Sequence, residues 1–285
     1  MSRIHQTFES WMRIVLGMAL LSLALPVMGA SGTPFRLATR FVDIQPLQLD
    51  APERQWLANH GTLRVGIAIG DYEPVDITDD RNNYQGISAD YLSIVRDTLG
   101  VPVEVLGYRR RDQAVAELLA GNIDILASAS GFERGIEGVA FSREYMTDRL
   151  VIACRSCEDE PVKNWVGKKI GFMEGYVDIH TAQAFYPDSE ITTISDLHNA
   201  MDALVEGDID GFIGNELIVQ SFKSVRPHSG VRIIGDSALP SSGFAFATRL
   251  SDPELGLLIN RALGSLDDNT SRMVLSRWII GLEGH

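Results

Sequence analysis

Short apolar runs and amphipathic stretches alternate along this chain. Leu63-Arg64-Val65-Gly66-Ile67 reads as a buried strand, closed by the loop Gly70–Pro74. A turn at Asp79–Asn83 leads to Ser88, a good N-cap, after which Tyr91, Leu92, Val95 and Leu99 fall at helical spacing and Gly100 stops the helix. Val103–Leu106 predicts a second strand. A helix follows from Asp112, carrying Val115, Leu118 and Leu119 with Gly121 as its stop, and Ile123–Ala127 predicts a third strand. This order of strands and helices predicts an α/β sheet with parallel pairing. Ahead of it, Ala51–His60 predicts a short helix with Trp56 and Leu57 facing inward. Beyond it, Leu150–Ala153 and Gly243–Ala247 predict two connecting strands. A helix opens at Asp252-Pro253-Glu254 and carries Leu257, Leu258, Ala262 and Leu266; a last one includes Met273, Val274 and Trp278.

The pattern also echoes itself. Ala114–Asp124 (AVAELLAGNID) resembles Ala200–Asp210 (AMDALVEGDID): an amphipathic helix, a Gly stop, a polar residue, then Ile-Asp opening a strand. Leu63–Ile67 has a fainter echo in Lys169–Met173 (KIGFM). Two echoes in the same order predict two similar lobes. The repeated Asp124 and Asp210 are read as structural residues at strand starts.

The first thirty residues stand apart. Arg3 and Arg13 precede the apolar run Ile14–Met28, broken by Pro26 and followed by Gly29-Ala30-Ser31-Gly32. These are the parts of a secretory signal peptide cleaved near Ala30, with an uncleaved anchor as the other reading. The expected divisions are a signal peptide over 1–30, an N-terminal extension with a short helix over 31–60, a first lobe over 61–149, a second lobe over 150–242 and a return segment to the first lobe over 243–285.

Composition narrows the function classes. Apolar residues at 45% and charged residues at 22% belong to a folded chain. A net charge of −13 argues against the basic footprint that phosphate binding needs, so no nucleic-acid partner is expected. Two cysteines cannot build a disulfide framework or a four-ligand zinc site; Cys154-Arg-Ser-Cys157 reads as a local disulfide beside an exposed acidic loop, Glu158–Pro161. The six His are scattered, and HExxH, GxSxG, GxGxxG and a P-loop are absent. No catalytic residue, metal or cofactor is expected.

The segments LRVG (63–66), Tyr72-Glu73-Pro74, QGISAD (85–90), LLAGNID (118–124), FSREY (141–145), GKKIGFMEG (167–175) and EGDID (206–210), in that order, resemble the family 3 periplasmic solute-binding domain, the type II Venus flytrap. Glu53–Leu57, QGISADYL (85–92) and Ile213-Gly214-Asn215 are most similar to the periplasmic sensing domains of BvgS-type sensor kinases. The resemblance implies two α/β lobes joined by two hinge strands, a ligand cleft between them, and a periplasmic location. It also implies a small-molecule ligand and a membrane partner, either a permease or a sensor kinase. As a free protein the chain is expected to be a binding protein for a carboxylate-bearing or amino-acid-like ligand. Alternatives are the sensing domain of a BvgS-type kinase, a dehydratase-like enzyme with Glu174 as its acid, and a degenerate scaffold.

The site carries over residue by residue. Tyr72 matches the family's aromatic wall and Ser130 its cleft hydroxyl. Arg134 matches the carboxylate-binding Arg but stands one residue early relative to Phe141, with Gly135 in the expected place. If it holds a carboxylate, its guanidinium points toward Tyr72 and the amides after Gly175. Tyr176 and Val177 replace the hydroxyl pair that follows Gly175. Asn215 replaces the ammonium-binding Asp and supplies no charge. Arg111 occupies an often aromatic position, as a solvated loop charge beside Arg109 and Arg110 or as a second cation in the cleft.

Overall fold

The computed structural model describes residues 32–38, 44–155, 157 and 165–279. The expected signal peptide and the acidic loop at Glu158–Pro161 lie outside them. The first half of the chain forms β1 (Thr33–Leu37), α1 (Ala51–His60), β2 (Leu63–Ala68), β3 (Asp71–Tyr72), β4 (Asp76–Thr78), β5 (Asn83–Gln85), α2 (Ile87–Leu99), β6 (Val103–Tyr108), α3 (Arg111–Ala120), β7 (Ile125–Ala129) and β8 (Val139–Phe141). There follow β9 (Leu150–Arg155), β10 (Lys169–Met173), α4 (Ile179–Phe185), β11 (Glu190–Ile194), α5 (Leu197–Glu206), β12 (Gly211–Asn215), α6 (Glu216–Val225) and β13 (Val231–Asp236). β14 (Ala245–Arg249), α7 (Pro253–Gly264) and α8 (Asp268–Ser276) complete the described chain.

The strands make two sheets. One is ordered β3-β4-β5-β1-β6-β2-β7-β14-β8 and the other β11-β10-β12-β9-β13. β14 pairs antiparallel with β7 and β8, so the chain returns to the first sheet after completing the second. In each sheet the second, first and third strands of a parallel unit lie side by side (β6-β2-β7 and β11-β10-β12), and an antiparallel strand pairs with the third, β14 in one and β9 in the other, with β8 and β13 outside them. The sequence echo is this shared topology.

Asp124 and Asp210 do the same work in the two sheets. The Asp124 carboxylate accepts from the Arg64 N–H at 2.8 Å while its own N–H donates to the Arg64 carbonyl; Asp210 does both with Lys169, its carboxylate likewise at 2.8 Å. Each ties the start of a strand to its parallel neighbour. Their surroundings differ. Asp124 is buried among Arg64, Arg249 and His60, whereas Asp210 is exposed beside Lys168.

Two expectations differ from the structure. Ser88 is not the cap of α2. Gly86 takes that place at φ +113°, where a Cβ would lie 2.4 Å from the Val75 carbonyl oxygen, so only glycine fits. Ser88 is turned inward and its hydroxyl meets that of Tyr145 at 2.7 Å. β1 had no sequence signal, since its five residues, TPFRL, are mostly exposed; it is placed by pairing with β6 and β5. The core of the first lobe gathers Val65, Leu92, Phe246 and Ile259 between the sheet, α2 and α7, and Val151, Met201, Leu204 and Phe212 fill one face of the second. Burying each such side chain contributes about 1.5–3 kcal/mol. The cysteines form the expected Cys154–Cys157 disulfide.

Candidate functional site

The loops after β2, β7, β10 and β12 converge between the two sheets, at the carboxyl ends of parallel strands, where open α/β folds place ligands. Here the two lobes touch. Tyr72, at the end of β3, is buried and its hydroxyl donates to Asn215 Oδ1 at 2.7 Å; Asn215 is the last residue of β12 and fully buried. Tyr176 follows Gly175 after β10. Its ring stacks on Tyr72 with centroids 5.3 Å apart and meets Phe132 edge-on at 5.4 Å. Gly175 lies at φ +82°, and a Cβ on it would come within 3.1 Å of the Arg111 nitrogen, so a glycine lets the lobes approach. At the rim, the Arg110 guanidinium makes an ion pair with Glu174 of the opposite lobe.

A chain of buried polar groups lies on the first-lobe side. The Tyr84 hydroxyl donates to Asp76 Oδ1 at 2.6 Å, and the Ser128 hydroxyl donates to Asp76 Oδ2. Arg111 Nη1 donates to the Ala127 carbonyl at 2.8 Å and to the Ser128 hydroxyl at 3.3 Å, and its Nε donates to Glu133 Oε1 at 2.7 Å. Glu133 Oε2 accepts the Ser130 N–H at 2.8 Å. Arg111 is only 1% exposed, and its Nη2 is buried with no hydrogen-bond partner. Burial works against the Arg111 charge, but Glu133, Tyr176 and Asp76 outweigh it, so the guanidinium holds its proton more firmly than usual. Burial pushes the Asp76 carboxyl up, against the bonds from Ser128 and Tyr84. Ser128 itself sits at φ +51°, a left-handed backbone that its place between Asp76 and Arg111 holds against the usual cost of about 1–3 kcal/mol.

Tyr72, Tyr176, Gly175 and Asn215 are thus brought together, with Ser130 and Arg111 linked through Glu133. Arg111 is not a solvated loop charge: α3 begins at this residue and turns it inward onto Glu133, while Arg109 and Arg110 remain outside. Arg134 borders the interlobe cavity together with Gly175 and Tyr176. The short turn Gly131–Glu133 brings Glu133 inward, and the next residue leaves on extended backbone; its guanidinium packs 4.1 Å over the Phe141 ring and 3.6 Å from Glu144. Glu174, the acid of the dehydratase alternative, is tied to Arg110. Asp76, Ser128, Phe132 and Glu133 had not been singled out from the sequence. Only Glu133 carried a signal, as the neighbour of Arg134.

A cavity of about 480 Å³ opens beside this cluster, bounded by Val115, Phe132 and Glu133 on one side and Tyr176, Val177 and Phe185 on the other. A wider groove of about 750 Å³ runs along the hinge past Asp148, Arg149 and Glu216. There Arg149 bridges Glu216 at 2.7 Å and Asp236 at 2.6 Å.

Residues 63–280 match the family described as bacterial extracellular solute-binding proteins, family 3. The chain belongs to that family. Among family members, the virulence sensor protein BvgS of Bordetella parapertussis is 27% identical over 279 residues, covering 98% of this chain and 22% of that protein. The sensor protein EvgS of Escherichia coli K12 is 22% identical over 240 residues, covering 84% of this chain and 20% of that protein. The chain thus spans about a fifth of the length of these curated relatives. The crystal structure of the B. pertussis BvgS periplasmic domain superimposes with a TM-score of 0.71 at 25% identity, covering 87% of this chain and 49% of that one. The fold is therefore the type II flytrap, and these two relatives are sensor proteins by name. Among the described residues no helix is long and apolar enough to cross a membrane.

Near the hinge, Asp148 Oδ1 accepts the Leu217 N–H at 3.3 Å. Burial pushes this carboxyl up to about 6, with Glu216 adding to the shift and the Arg149 and Leu217 N–H groups and Asn215 opposing it. The folded protein then keeps this proton to about pH 6, while the unfolded chain loses it near 3.8. Its contribution to stability is complete below about pH 4 and is lost as the pH rises through 6. Asp148→Asn should therefore match the wild type near pH 4 and exceed it at pH 7 in thermal melts. Asp76, shifted in the same direction, is present in both proteins, so the difference isolates Asp148. A difference that does not change with pH would contradict the assignment.

Proposed function

We propose that this chain is the ligand-sensing flytrap of a BvgS-type sensory system. It binds a small molecule between its lobes in the periplasm and reports lobe position to a membrane partner, with no chemical step. The observation that carries this reading is that the protein's own groups close the cleft: the Tyr72–Asn215 bond, the Tyr72–Tyr176–Phe132 ring cluster and the Arg110–Glu174 pair. A transport receptor must rest open to load its cargo. A sensor can rest closed and signal when a ligand alters that state, because a ligand shifts an equilibrium by its differential affinity for the two states.

The stacked rings account for most of the closure. Aromatic pairs contribute about 0.5–1.5 kcal/mol each beyond the area they bury, while the exposed Arg110–Glu174 pair is screened by water and adds little. Solution scattering on the ligand-free protein should give the compact dimensions of the closed form. Tyr176→Ala combined with Glu174→Gln should increase the radius of gyration while leaving the helical content unchanged. An open wild type, or a variant with identical dimensions, would remove the basis for this reading.

A further inference from the structure

The Tyr72–Asn215 bond joins the lobes through one corner of an amide. A side-chain amide carries an oxygen at one corner and an NH2 at the other, so giving Oδ1 to Tyr72 turns Nδ2 the opposite way. Nδ2 is buried without a hydrogen-bond partner, and so is Asp148 Oδ2, a donor and an acceptor that complement each other. Burial raises the Asp148 carboxyl and the Asn215 amide works against it, so the two side chains are neighbours. Both stand at the hinge. Asp148 precedes β9, the strand that enters the second lobe, and Asn215 ends β12 opposite Leu150 of that strand. The other Asp148 oxygen accepts the Leu217 N–H in the first turn of α6, which ties the carboxylate to that helix. Its charged neighbours, Arg149 and Glu216, are paired with each other.

We infer that Asp148 is the positioning residue of the interlobe bond: its carboxylate turns the Asn215 amide so that the oxygen faces Tyr72. An ionised carboxylate only accepts, so it favours an NH2 opposite it and opposes an oxygen. Burial keeps the Tyr72 hydroxyl protonated, with Tyr176 and Asp148 adding to the effect, so this hydroxyl has a proton to donate and needs that oxygen. With the amide reversed, the Tyr72 proton and the Asp148 oxygen would both be buried without partners. A movement of the hinge strand or of α6 that withdraws Asp148 therefore releases the amide, and with it a tie between the lobes. Hinge position and cleft closure become one variable. This inference rests on the sensing reading.

The test measures spin-label distances between Ala116→Cys on α3 and His180→Cys on α4 at pH 7.5, where Asp148 is ionised. The background is Tyr176→Ala/Glu174→Gln, which should populate open and closed forms while keeping the Tyr72–Asn215 bond. Asp148→Asn should raise the open-to-closed ratio at least roughly tenfold. Its new amide keeps an oxygen on the Leu217 N–H, which puts NH2 opposite Asn215 and reverses that side chain. Tyr72→Phe should have the same effect, and the double variant should open no further than either single one, because both act on one bond. Asp148→Asn should at the same time melt higher at pH 7, since it removes a buried charge. A merely structural residue would move stability and closure together. An unchanged ratio in Asp148→Asn, or an effect that adds in full to that of Tyr72→Phe, would overturn the inference. So would a background already fully open, since the Tyr72–Asn215 bond would then hold nothing. A compact wild type whose background opens in part but ignores Asp148→Asn discards this inference and keeps the sensing reading. A background as closed as the wild type, which Asp148→Asn then opens, keeps the inference and removes the ring cluster as the basis of the sensing reading.

Discussion

Arg111→Met should destabilise the protein by about 3–5 kcal/mol, because it leaves the Glu133 carboxylate buried without its partner. For a chain of this size that is a drop of roughly 6–20 °C in melting temperature. Glu133 is only 2% exposed and its remaining bond is one backbone N–H, so water cannot replace the guanidinium. The double variant Arg111→Met/Glu133→Gln should recover most of the loss. It removes both charges, and the glutamine oxygen still accepts from Ser130. The recovery distinguishes a pair retained for binding from one required for folding, since well-packed neutral replacements of buried pairs are often no worse than the pair itself. Equal damage from the single and double variants would show that the pair holds the lobe together.

Asp124→Ala should cost about 3 kcal/mol, and Asp210→Ala less than about 1 kcal/mol. The two aspartates stand in the same sequence context and each ties two parallel strands, so the contrast follows from burial and from the cations gathered around Asp124. Asp124 is 1% exposed and accepts three bonds from Arg64, with Arg249 and His60 within 3.6 Å. Asp210 is exposed and shares its carboxylate with Lys168, which is itself exposed. Burial works against the Asp124 charge, but the bonds from Arg64 outweigh it and hold the carboxyl below its usual range. Its contribution is therefore complete above about pH 4 and fades as the pH falls further. Chemical denaturation at pH 7 measures both costs, and the Asp124→Ala deficit should shrink below pH 4. Equal costs for the two variants would mean that the strand tie itself, rather than its burial, sets the penalty.

The lobes were legible in the sequence because their signals are local. The repeated Gly stop followed by Ile-Asp, and the apolar runs at Leu63 and Lys169, depend on residues close in the chain, and the structure places strands at both runs. β1 was not legible, since its place is set by partners some fifty to seventy residues further on. The cleft was half legible. The loss of the hydroxyl pair at Tyr176 and Val177 and of the acid at Asn215 pointed away from a zwitterionic ligand, and Tyr176 indeed fills the space beside Tyr72. What the sequence could not show was which arginine faces inward. That depends on the turn at Gly131–Glu133 bringing Glu133 beneath the start of α3, a contact between residues twenty-two positions apart. Family spacing favoured Arg134, which stands one residue early relative to Phe141.

The central claim is that this flytrap rests closed on its own contacts. Ala116→Cys on α3 and His180→Cys on α4 place one label on each rim of the cleft; both positions are exposed, and the native cysteines are held in their disulfide. Pulsed spin-label spectroscopy on the ligand-free protein measures the distance across the cleft. A single, narrow, short distance, which becomes longer and broader when Tyr176→Ala and Glu174→Gln are added, is the predicted result. A long or broad distribution that narrows only on adding ligand would show that the lobes need a ligand to close, and would contradict the claim.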